Sequence, residues 1–139
     1  MIPLRELLRF IAEDVPGGDL TTDALAPLGR CRARVFLREP GVASGVEEAA
    51  ALFTHFGVAV LRAVPDGTGV EADATLLSLE GDAAPVLLVE RTALNLIARM
   101  SGIATMTRAL VEAAHHVNPS VRVAATRKTT GIPLASPVA

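Results

Sequence analysis

With a single cysteine, a chain of 139 residues can form no internal disulfide and cannot pair thiols around a metal, so Cys31 reads as a small packing residue of a reducing compartment. An excess of one charge is missing too. Thirteen basic and fifteen acidic residues give a net charge of −2 with both signs scattered, which excludes a basic stripe for a nucleic-acid backbone and a polybasic membrane anchor. No apolar run approaches the roughly 20 residues that a membrane-spanning helix needs. Met1-Ile2-Pro3-Leu4-Arg5-Glu6 has no charged segment followed by an apolar stretch, so no leader is read and the cytoplasm is the expected address. Internal repeats and low-complexity tracts are absent as well. What is present is 50% hydrophobic, enough for a compact core in a chain of single-domain size.

Leu4, Leu7, Leu8 and Ile11 recur on one face of a helix that Pro3 opens, with Arg5, Glu6, Arg9 and Glu13 on the wet face. Pro16-Gly17-Gly18 ends it, and Asp19-Leu20-Thr21-Thr22 reads as an ordered turn. From Cys31 to Leu37 the apolar Cys31, Ala33, Val35 and Leu37 alternate with Arg32 and Arg34, the pattern of a half-buried antiparallel strand in which Phe36 is the exception on the polar face. After Glu39-Pro40-Gly41 the spacing predicts a short strand from Val42 to Val46. A helix over about 47–56 follows, with Ala49, Leu52, Phe53 and Phe56 on one stripe and Gly57 as its stop. Val58–Val64 and Ala74–Leu79 read as strands. They are joined through the turn Pro65-Asp66-Gly67-Thr68-Gly69, and the second is closed by Glu80-Gly81-Asp82.

A helical stretch begins near Ala84. Ser101-Gly102 is expected to divide it into two helices in series, with Met100 and Met106 in core positions. Asn118-Pro119 ends the second helix, where His115 and His116 suit the negative end of the helix dipole and have no metal-ligand partner at a usable spacing. Val121-Arg122-Val123-Ala124-Ala125-Thr126 is almost wholly small and β-branched, as expected of a parallel strand buried on both faces. The chain therefore divides into an α+β sandwich with linking helices over 1–117 and a second unit over 118–139 with an unpacked, uncharged tail.

Two polar clusters carry chemistry. Glu90-Arg91-Thr92-Ala93-Leu94-Asn95 places Arg91 and Asn95 on one helical face with Leu87 and Leu94. Arg91 either pairs with a carboxylate such as Glu90 or lies at the surface, or it clamps an acidic ligand through two parallel hydrogen bonds. Thr126-Arg127-Lys128-Thr129-Thr130 puts two cations and three hydroxyls at the C-terminal end of the expected buried strand, where parallel sheets and barrels bind ligands. Soluble cations at a strand end are the plainer account.

Taken in order, Glu13-Asp14, Gly18-Asp19-Leu20-Thr21-Thr22, Glu90-Arg91-Thr92-Ala93-Leu94-Asn95, Ser101-Gly102-Ile103-Ala104-Thr105 and Thr126-Arg127-Lys128-Thr129-Thr130 resemble the quinolinate phosphoribosyltransferase family, also called carboxylating nicotinate-nucleotide pyrophosphorylase. The resemblance runs over residues 5 to 130. It implies an α+β fold, a hammerhead-like sandwich followed by helices and the first strand of an α/β barrel. It also implies a pentosyltransferase of NAD biosynthesis that converts quinolinate and phosphoribosyl pyrophosphate, with magnesium, into nicotinate mononucleotide, pyrophosphate and carbon dioxide. The same resemblance makes Arg91, Thr126, Arg127 and Lys128 substrate-binding and Lys128 catalytic, with Arg91 reaching the site of the neighbouring subunit of a homodimer. Arg127 suits a bidentate grip on a dicarboxylate and Lys128 a point contact to a carboxylate or the ribosyl donor.

After Thr130 the sequence departs from the family pattern and runs Gly131-Ile132-Pro133-Leu134-Ala135-Ser136-Pro137-Val138-Ala139. The family's later barrel strands, further histidine and arginine, and the acidic residues associated with magnesium have no counterpart. The expectation is an inactive fragment, from a frameshift near Thr130 in preference to a real short product. The molybdenum-associated homologues share the GDLTT and SGIAT signatures, and Glu90–Asn95 argues against them. A biotinyl-like carrier module would need a lysine in the turn at Asp66-Gly67, which has none. A noncatalytic subunit that lends Arg91 to a full-length partner is the other reading.

Overall fold

The computed structural model describes residues 2–17 and 28–126. In chain order these form α1 (Leu4–Asp14), β1 (Arg30–Phe36), β2 (Gly41–Val42), α2 (Val46–His55), β3 (Ala59–Ala63), β4 (Gly69–Val70), β5 (Thr75–Asp82) and α3 (Ala83–Val117). The architecture is α+β. The turn expected at Asp19–Thr22 lies outside the described residues.

Local chemistry accounts for most of these elements. In α1, Leu7 and Ile11 are buried and Leu8 is half-buried, while Arg9 reaches back 3.1 Å to Glu6 on the wet face. Ala49, Leu52 and Phe53 form the buried stripe of α2, and Gly57 follows it at φ +80°, a conformation that would strain any residue with a Cβ.

Strand order in the main sheet is β1-β5-β3, all antiparallel, and β2 pairs with β4 in a second, two-stranded ladder. Cys31, Ala33 and Val35 oppose Gly81, Leu79 and Leu77 on the inner face, so the period-two pattern of β1 becomes one wall of the core. Phe53, Leu7, Leu52, Leu76, Leu77, Leu79 and Ile97 are its largest fully buried side chains. Arg30, Arg32 and Arg34 point outward, joined by the exposed Phe36, over whose ring the Arg34 guanidinium lies at 4.6 Å.

Five expectations change, the first being that the short strand expected over Val42–Val46 is confined to Gly41–Val42, with Val46 already opening α2. Glu80, Gly81 and Asp82 do not close β5 as a turn but continue it, pairing with Arg32, Cys31 and Arg30. Gly81 is buried so close to Val58 that a Cβ would stand 3.3 Å from its Cα, so the glycine serves close packing here. Ser101-Gly102 does not divide the long helix. α3 runs unbroken for 35 residues, a rod of about 52 Å. A helical glycine costs only about 1 kcal/mol against alanine, and the bonds made by Ser101 oppose a break at this point. Met106 is not in the core but 70% exposed. Val121–Thr126 forms no strand and is exposed, because no described strand lies alongside to satisfy its backbone.

Candidate anion site on the long helix

The first half of α3 has two faces. Val86, Val89, Ala93, Leu96 and Ile97, with Thr92 and Ser101, are buried. Leu87, Glu90, Arg91, Leu94 and Asn95 are exposed on the other side. The face shared by Arg91, Asn95, Leu87 and Leu94 is therefore an open surface, not a buried apolar one, and Arg91 carries no burial penalty. Its side chain is 73% exposed and donates from Nη1 to Asp14 Oδ1 at 3.2 Å. The carboxylate is that of Asp14, at the end of α1, and not the adjacent Glu90. Asp14 engages one of the five N–H donors of the guanidinium. Leu87 and Leu94, 40% and 39% exposed, flank the charge with apolar surface. A guanidinium framed in this way can grip a planar carboxylate once another surface excludes water from it.

Thr126 lies exposed beyond the helix, and Arg127 and Lys128 fall outside the described residues. No described contact joins Thr126 to Arg91.

Residues that position this helix were read differently from sequence. Ser101 Oγ accepts from Ser44 N–H at 3.0 Å and donates to Ser44 O at 3.1 Å, and Thr105 Oγ1 accepts from Val42 N–H at 2.9 Å. One turn apart on α3, the two hydroxyls satisfy backbone groups of β2 and of the turn into α2. Asp66 does the same for α2, its carboxylate accepting from Gly45 N–H at 2.7 Å and Val46 N–H at 3.0 Å. Gly45, at φ +80°, lies so near α3 that a Cβ would come within 2.9 Å of Met100 Sδ and 3.2 Å of Leu96 O. His115, near the helix end, lies with Nε2 3.0 Å from Val121 O and turns the following segment back.

Residues 19–101 match the family model described as quinolinate phosphoribosyl transferase, N-terminal domain. The chain belongs to this family. Among curated quinolinate phosphoribosyltransferase relatives, the probable carboxylating nicotinate-nucleotide pyrophosphorylase of Methanothermobacter thermautotrophicus is 45% identical over 128 residues, covering 91% of this chain and 45% of that protein. The putative pyrophosphorylase ModD of Rhodobacter capsulatus is 38% identical over 125 residues, covering 88% of this chain and 48% of its own length. Among solved structures, the nicotinate-nucleotide pyrophosphorylase of Francisella tularensis superposes with a TM-score of 0.74 at 30% identity, over 81% of this chain and 42% of that one. The chain spans a little under half the length of these relatives. Within the family match lie Arg91 and the Ser101 that anchors its helix, whereas Thr126, Arg127 and Lys128 lie beyond it.

Proposed function

We propose that this chain is the N-terminal part of a quinolinate phosphoribosyltransferase of NAD biosynthesis, which joins quinolinate to phosphoribosyl pyrophosphate and releases pyrophosphate and carbon dioxide. The observation that carries the reading is Arg91, exposed between Leu87 and Leu94 and tethered through Asp14, on a helix that Ser101 and Thr105 lock to the rest of the fold. In the proposed homodimer Arg91 enters the neighbouring subunit's site and grips a quinolinate carboxylate with two parallel N–H donors. Thr126, Arg127 and Lys128 belong to the proposed barrel unit that starts at residue 118, with Arg127 on the dicarboxylate and Lys128 the catalytic cation. Their part is to position two polyanions and stabilise the departing pyrophosphate. A cytoplasmic setting belongs to the same proposal, and the lone cysteine suits a reducing compartment.

The family also implies magnesium. Such an ion would be held largely by the phosphate oxygens of the substrate with one or two carboxylates; among the described residues no three His, Cys, Asp or Glu side chains stand together.

A chimera joining residues 1–126 to the second half of the Methanothermobacter relative tests the reading. It should turn over quinolinate, and Arg91→Ala should lower kcat/KM by on the order of 100-fold, with Arg91→Lys restoring little because an ammonium cannot make the paired contact. Turnover equal to that of the unsubstituted chimera would remove Arg91 from the site. Failure of the unsubstituted chimera to turn over quinolinate would favour the alternative of a molybdenum-associated homologue of the same fold.

A further inference from the structure

The outer face of the main sheet carries four arginines, of which two share one carboxylate and two have none. Glu80 accepts from Arg32 Nε at 2.7 Å and lies 3.6 Å from Arg30 Nη2. Arg34 and Arg62 have no carboxylate partner among the described residues. Both oppose the same residue, since Arg34 pairs with Ser78 across β1–β5 and Arg62 pairs with Ser78 across β3–β5. Directly opposed residues of antiparallel strands share a face, and adjacent strands are about 4.8 Å apart, so a hydroxyl stands between two guanidinium stems whose Cα atoms are about 10 Å apart.

Two features aim these cations. In β3 the register shifts between Val60 and Arg62, leaving Leu61 as an inserted residue, 60% exposed. In a regular ladder Leu61 would oppose Ser78 and Arg62 would turn to the inner face; the bulge brings Arg62 to the outer face. On the other side Phe36, the apolar exception of β1, lies under the Arg34 guanidinium at 4.6 Å. Stacking occupies one face of that group and leaves its edge N–H donors unblocked by the ring. An exposed phenylalanine on an otherwise polar face contributes nothing to the core, and holding Arg34 accounts for it.

We infer that Arg34, Ser78 and Arg62 form an anion subsite for a phosphoryl group, separate from the face of Arg91. A phosphoryl dianion offers three acceptor oxygens, which matches two guanidiniums and a hydroxyl, whereas the neighbouring Arg30 and Arg32 share the carboxylate of Glu80, whose charge weakens their pull on an anion.

The test follows the arginine Nε–Hε resonances of the isotopically labelled full chain by NMR as inorganic phosphate is added at constant ionic strength. Saturable shifts are expected at Arg34 and Arg62. Arg34→Gln and Arg62→Gln should each weaken the apparent affinity at least about tenfold, and Arg32→Gln should change it less than about twofold. All three positions are exposed, and unchanged core resonances will show that the variants fold. Drift spread over every arginine without saturation, or a titration that Arg34→Gln and Arg62→Gln leave unaltered, would overturn the assignment.

Discussion

The two halves of α3 follow the same helical period and end in opposite environments. From Ala83 to Ser101 the stripe of Val86, Val89, Ala93, Leu96 and Ile97 is buried, yet beyond it Ile103, Met106 and Leu110 are 59%, 70% and 61% exposed. Periodicity identifies a face that wants a partner and does not say whether the partner is in the same fold. Past Ser101 the helix makes polar attachments at Thr105 and Arg108, then runs out beyond the sheet. Met106 and Leu110 there line an open groove with Leu37, Pro40, Ala98, Gly102 and Ala109.

Substitutions sharpen that contrast. Ile97→Ala in the buried half should cost roughly 3 kcal/mol in urea unfolding, since it leaves a void among fixed neighbours. Leu110→Ala in the exposed half should cost less than about 0.5 kcal/mol, and equal losses would mean that the second half is packed in solution. Next in size is Asp66→Ala, which strips two backbone N–H groups at the start of α2 of their acceptor and should cost about 1–2 kcal/mol. Ser101→Ala follows at about 1 kcal/mol, enough to loosen the junction between the halves without melting either.

The smallest expected effect concerns pH. Hydrogen bonding and charge from Arg32, then Arg30, hold the Glu80 carboxyl below the usual carboxylate range. A carboxyl with a folded-state pKa below its unfolded value contributes stability that is fully present above the unfolded pKa of about 4.3. That contribution is lost as pH falls through the lower folded value. Glu80→Gln should flatten the acid side of a stability–pH profile and leave the slope above about pH 6 unchanged.

Elements set by their own neighbours were legible in the sequence. Leu7 and Ile11 of α1, the stripe of α2 with Gly57 behind it, and the alternation of β1 follow from local spacing and from the stops at either end. Features set by distant residues were not. The continuity of α3 rests on Ser101 meeting Ser44, 57 positions away, and the partner of Arg91 is Asp14, 77 positions away. Asp66 reads as a turn residue, and it is one, but its carboxylate serves a helix that begins 20 positions earlier. Val121–Thr126 shows the converse: strand composition without neighbouring strands yields exposed chain. Of the candidate site, Arg91 was legible as a cation in an unusual place, whereas its exposure depended on which face of α3 the sheet and α2 left uncovered.

The turn from Pro65 to Gly69, which joins β3 to β4, resembles the kind of surface loop that an engineer would choose for inserting a tag or exchanging a sequence. Here that choice would unfasten three parts of the molecule at once. Asp66 holds the start of α2, Gly67 N–H donates to Ala43 O at 2.8 Å, and Gly67 O receives Arg108 of α3 at 2.9 Å. Five residues at the surface thus act as a keystone, and grafts are better sited elsewhere.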